Sequence, residues 1–200
     1  MQTDVLIYHQ QMLILASASP RRRELLASAG IECVVDAAHI DETPRPGEAA
    51  ATYAERLARE KAATVAVRHP RHCVLGADTV VVVDGELFGK PVDAEDACRM
   101  LRRLSGREHV VITAVAVASG RQIQSDVENS VVEMRRISEN EILTYVETGE
   151  PMDKAGAYAI QGLAGAFVCR VSGNFDTIVG LPVKLALKLL SSCSEPYSES

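Results

Sequence analysis

Three arginines stand where a helix least favours cations. Arg21, Arg22 and Arg23 follow a short apolar run at residues 12–15 and the slim segment Ala16-Ser17-Ala18-Ser19. The run reads as a buried strand. Ser19 is a good N-cap, Pro20 suits the first helical position, and Gly30 suits the left-handed cap at the end. The helix macrodipole makes the start of that helix positive, so cations there repel it unless an anion joins them. Free helix N–H groups, a slim loop and guanidiniums together form a phosphate site. The competing reading is a solvated basic helix start.

Asp78 poses the opposite problem, a carboxylate inside an otherwise apolar stretch at residues 74–83. Burying it costs several kcal/mol unless it is paired, hydrogen-bonded or metal-bound. It is therefore either half of an ion pair that fixes a hairpin or an active-site carboxylate at the mouth of a cleft. Asp84-Gly85 is a two-residue hairpin turn. Unbulged pairing outward from it sets Thr79 opposite Lys90, next to Asp78. Lys90 lies between Gly89 and Pro91, which suits an opening rather than a packed core. Lys61 continues the apolar stripe of Tyr53 and Leu57 on a helix expected over residues 48–67, and either snorkels to solvent or points into a cleft. In the glycine-rich stretch 153–165, Lys154 has the charge to meet phosphate and Gln161 the amide to read a base edge. Both could equally be solvated loop residues.

The elements that must position these groups alternate between strand and helix without a regular βαβ period. We therefore expect an α/β fold with a mixed, twisted sheet in a single domain spanning residues 12–192. Short strands are expected at residues 32–40 and 166–171, a long one at 109–118, and one or two more at 121–137. Asp93 caps a helix that ends at Leu104, Ser138 and Glu141 form a capping box, and a last helix covers residues 181–192. The segment 93–148 reads as scaffold.

A net charge of −6 argues against a general nucleic-acid or anionic-membrane surface, but leaves room for one basic cleft. No apolar run reaches the ~20 residues of a membrane span. Cys33, Cys73, Cys98, Cys169 and Cys193 are scattered without a Cys-x-x-Cys pair, which fits reduced thiols in the cytoplasm. The stretch His69-Pro70-Arg71-His72-Cys73 reads as a surface loop rather than a metal site. Neither the P-loop nor the dinucleotide glycine fingerprint is present. Residues 1–11 lack the features of a signal peptide, and they and residues 193–200 are expected to be poorly ordered.

Ser17-Ala18-Ser19-Pro20-Arg21-Arg22 resembles the signature of the Maf family of nucleotide pyrophosphatases. The resemblance recurs in order at Gly76-Ala77-Asp78-Thr79, Gly89-Lys90-Pro91, Asp153-Lys154-Ala155-Gly156 and Val179-Gly180-Leu181-Pro182. It implies an elongated sheet with a central cleft, similar to the inosine triphosphate pyrophosphatases, and hydrolysis of a nucleoside triphosphate between its α- and β-phosphates. Ser17, Arg21, Arg22, Lys61, Thr79, Lys90, Lys154 and Gln161 become the substrate-binding set, and Asp78 the general base or metal ligand. Glu42, otherwise a solvated loop acid, becomes a second metal ligand. Mg²⁺ is the expected ion, since oxygen ligands dominate. The block from Asp153 to Gly162 resembles the dTTP- and UTP-acting subfamily, with Arg21, Thr79 and Gln161 tuning base choice. Ala159 replaces the family's usual Gly, and Thr177 a frequent Asn. The 7-methyl-GTP-acting relatives and a nucleotide-binding regulator of septum formation with little turnover remain alternatives. A homodimer is open.

Overall fold

The computed structural model describes residues 12–191. The extension expected at 1–11 and the tail at 193–200 lie outside the described residues. In chain order the elements are β1 (Leu13–Leu15), α1 (Pro20–Ser28), β2 (Cys33–Val35), α2 (Ala50–Ala66), β3 (Cys73–Val83), β4 (Glu86–Phe88), α3 (Ala94–Leu104), β5 (Glu108–Ser119), β6 (Gln122–Met134), α4 (Glu139–Glu147), β7 (Val168–Ser172), α5 (Phe175–Val179) and α6 (Val183–Ser191), with 3₁₀ turns between α4 and β7.

The valine-rich β3 is the axis. One edge pairs antiparallel with β5 from Val74–Ala118 to Val82–Val110, and β5 continues through β6 to β7. The other edge is shared by two short strands. β1 lies parallel to Cys73, Val74 and Leu75, with β2 outside it, and β4 lies antiparallel to Val81, Val82 and Val83. The result is one mixed seven-stranded sheet. Between β1 and β4, residues 76–80 of β3 have no strand beside them on this edge. This gap is a notch in the sheet. Side chains on a strand alternate between faces, so a notch admits a ligand to both Asp78 and Thr79.

Helices cover both faces, as a sheet buried on two sides requires. On one face α2 packs Ala54, Leu57, Ala58 and Val65 against Ile14, Val74 and Ala116. It comes so close at Gly76 that a Cβ there would lie 2.3 Å from the Ala58 carbonyl oxygen. On the other face Leu26 of α1 and Leu185 and Leu189 of α6 cover Leu15, Leu75, Val115 and Val117. A third cluster, beyond the notch, joins α3 and α4 to Val81, Phe88, Val111 and Met134. No helix among the described residues is long and apolar enough to cross a membrane.

Several expected elements change extent for physical reasons. The strand expected at 32–40 spans only Cys33–Val35, because β1 offers it three residues to pair with. Residues 122–134 form one continuous strand, since β5 supplies a partner of matching length. The strand expected to start at 166 starts at Val168, the preceding Leu163–Phe167 being wound into a 3₁₀ turn. The short α5, capped by the Asn174 side chain, was not anticipated. The capping box of Ser138 and Glu141 and the Asp93 cap form as the sequence implies.

Candidate functional site

The notch opens into a cleft of about 450 Å³. Ser17, Arg21, Arg22, Glu42, Lys61, Asp78, Thr79, Lys90, Lys154 and Gln161 all line it. They divide into two groups, one on each face of β3, and a rim.

On the α2 face, Asp78 is 7% exposed and Lys61 8%. The Lys61 ammonium donates to Asp78 Oδ1 at 2.6 Å and reaches Glu42 Oε1 at 2.8 Å. Its place in the apolar stripe therefore leads to the cleft and not to solvent. Tyr53, two turns of stripe earlier, donates its hydroxyl to the Glu42 carbonyl at 2.7 Å and so holds the Glu42 loop. Burial pushes the Asp78 carboxyl up, against the pull of Lys61 and Arg22. Glu42 shares the burial effect, but its hydrogen bond to Lys61 and the charges of Lys61, Lys90 and Arg22 outweigh it and hold it down. Two carboxyls on one lysine are thus driven apart, the usual signature of divided acid–base roles.

On the opposite face, Arg22 is a fixed strut. It donates from Nε to the Gly180 carbonyl at 2.8 Å, from Nη1 to Ser17 Oγ at 2.9 Å and from Nη2 to Thr79 Oγ1 at 3.2 Å. A guanidinium has five N–H donors, so two remain for a ligand. Behind Thr79 lies Thr113, its cross-strand partner, with the two hydroxyl oxygens 2.9 Å apart. Thr113 in turn donates to the Thr177 carbonyl at 2.7 Å, and the Thr177 hydroxyl to Glu128 Oε1 at 2.6 Å.

The rim is looser. Arg21 lies 3.8 Å from Asp153, which also pairs with Lys154, so one acid spans two cations. Lys90 is exposed, and its expected pairing opposite Thr79 does not form. The hairpin keeps its register for Val83–Glu86, Val82–Leu87 and Val81–Phe88, then β4 ends. The lysine bound to Asp78 is Lys61, from another element.

Gln161 is also exposed, on a segment pinned from behind. Gly156, at φ 71°, sits against Val81, where a Cβ would approach to 2.8 Å. Tyr158 is buried, with its hydroxyl 2.8 Å from His109 Nε2, and Tyr145 accepts from the Ala159 N–H at 3.3 Å. Burial keeps His109 neutral, lowering it to about 4. Sequence reasoning missed Tyr53, Thr113 and His109, each of which reads as ordinary stripe or strand filling. Thr177 had been singled out only as a departure from pattern.

The donor set bears on which metal the cleft can take. No group of three or more His, Cys, Asp or Glu among the described residues is arranged to hold one. Asp78 and Glu42 offer carboxylate oxygens alone. That suits Mg²⁺, which is commonly bound by one or two carboxylates together with substrate phosphates and water.

A family model for Maf-like proteins matches residues 12–193. Curated relatives named dTTP/UTP pyrophosphatase are similar along nearly their whole lengths. The protein from Myxococcus xanthus is 54% identical over 187 residues, covering 94% of this chain and 95% of its own. That from Hahella chejuensis is 52% identical, covering 90% and 92%. That from Escherichia coli O157:H7 is 49% identical, with the same coverage of 90% and 92%.

Proposed function

The chain belongs to the Maf family, and on that premise we propose that it hydrolyses dTTP and UTP to the nucleoside monophosphate and pyrophosphate. The observation that carries this reading is the notch. It gathers a raised carboxyl, a buried lysine and a locked arginine around one opening large enough for a nucleotide.

In the reaction, a water oxygen bonds to the α-phosphorus and the bond from that phosphorus to the α–β bridging oxygen breaks. Asp78 takes the proton of the attacking water. Its raised affinity for protons makes it a better base than an ordinary carboxylate. Lys61 fixes the carboxylate and, with the two free N–H groups of Arg22 and the Ser17 hydroxyl, offsets charge developing on the phosphate oxygens. Arg21 and Lys154 leave Asp153 for the triphosphate tail, and Lys90 adds to the positive rim. Gln161 faces the base. Asp78 and Glu42 would hold Mg²⁺ with the substrate's own oxygens, and the ion would supply further charge compensation there.

Pyrophosphate release from dTTP, UTP, CTP, GTP and 7-methyl-GTP in the presence of Mg²⁺ tests the reading. Release from dTTP and UTP in preference to the others is expected. Preference for 7-methyl-GTP would keep the chemistry and overturn the substrate. No release from any nucleotide, with binding retained, would point to the regulator of septum formation.

A further inference from the structure

Arg22 grips two hydroxyls, and hydrogen-bond direction leaves them with opposite polarity. Ser17 Oγ accepts from Arg22 Nη1 at 2.9 Å and from the Ser19 N–H at 3.3 Å. Both of its lone pairs are occupied, and its proton remains for an acceptor. Thr79 is the reverse. The Thr177 carbonyl cannot donate, so the single proton of Thr113 is committed to it at 2.7 Å. The 2.9 Å contact between Thr79 and Thr113 must therefore be donated by Thr79. With one lone pair filled by Arg22 at 3.2 Å, Thr79 has one lone pair and no proton left for the cleft.

From this one-way chain we propose that Thr113, fully buried and out of reach of any ligand, sets base selection by making Thr79 an acceptor only. An acceptor-only hydroxyl does not serve phosphate oxygens, which are acceptors themselves. It calls for an N–H, and the base edge shared by thymine and uracil supplies one at N3. Cytosine presents a lone pair at N3, and two facing acceptors leave a buried polar pair unsatisfied. Gln161 alone could not make this distinction. No hydrogen bond fixes its side chain among the described residues, and an amide can turn to offer either its oxygen or its NH₂. Thr113 is thus a positioning residue for specificity, and the inference rests on the pyrophosphatase reading only for the identity of its substrates.

The test is the ratio of kcat/KM for UTP to that for CTP in wild type, Thr113→Val and Thr113→Ser. Valine is nearly isosteric and frees the Thr79 proton to turn toward a ligand. We expect the ratio to fall at least tenfold in Thr113→Val, mainly through a gain on CTP, and to stay within threefold of wild type in Thr113→Ser. An unchanged ratio in folded Thr113→Val, or equal losses on both nucleotides, would overturn the proposal. Should the valine variant not fold, wild type with 3-methyl-UTP decides, because the methyl group removes the N3 proton. Turnover equal to that of UTP would contradict it, and loss of turnover supports it. If wild type releases no pyrophosphate from any nucleotide, the pyrophosphatase reading fails alone. The UTP-to-CTP affinity ratio by calorimetry in the same variants then judges the polarity.

Discussion

Asp78 and Thr79 are neighbours on one strand, yet they face different worlds. Asp78 looks toward α2, into a charged cluster with Lys61 and Glu42. Thr79 looks the other way, into a directed file that passes from the Arg22 guanidinium through two threonine hydroxyls to a backbone carbonyl. In a continuous sheet these faces would never share a ligand. The notch between β1 and β4 lets them do so, and the separation suggests a division of labour. The charged face, where field strength matters, suits bond breaking. The threonine face, where hydrogen-bond direction matters, suits recognition.

Breaking the charged face should have the largest effect. Asp78→Asn keeps the shape and removes the base, and turnover of dTTP should fall by about 10²–10⁴-fold, with the circular dichroism spectrum unchanged. Lys61→Met should come next. It strips the cation from a buried carboxylate, which destabilises the fold by about 3–5 kcal/mol in denaturant titrations. Because Lys61 pulls the Asp78 carboxyl down, its loss should also move the acid limb of kcat/KM to higher pH. An acid limb that stays in place would separate Asp78 from that limb.

His109 lies outside both faces and offers a control on stability alone. Its imidazole titrates near 6.5 when unfolded and at about 4 when buried. As pH falls through that window the unfolded chain takes a proton that the folded one refuses. About 3 kcal/mol of stability should be lost between pH 6.5 and pH 4. His109→Phe should flatten that part of the stability profile. The smallest effect belongs to the rim, where Gln161→Ala should shift preference among bases by less than about tenfold while hydrolysis persists. Equal losses on every nucleotide would remove Gln161 from recognition.

Much of this layout is readable from residue types, and the failures are instructive. Asp78 is conspicuous because a carboxylate in a valine run demands a partner, and Lys61 because it interrupts an apolar stripe. Their pairing was hidden: it depends on α2 closing onto Gly76, a tertiary contact that no local pattern encodes. The hairpin turn fixes register correctly but not strand length, so Lys90 was carried too far along it. Thr113 was invisible for another reason. Its significance lies in which way a proton points, and a threonine in a strand carries no mark of that.

The division between the two faces is tested most directly by measuring dTTP affinity and turnover together in Asp78→Asn and Thr79→Val. The account predicts that Asp78→Asn loses turnover while binding dTTP within about tenfold of wild type. Thr79→Val should lose its preference for UTP over CTP and keep a turnover number near wild type. Parallel loss of affinity and turnover in both variants would contradict it, and would make the notch a single undivided site.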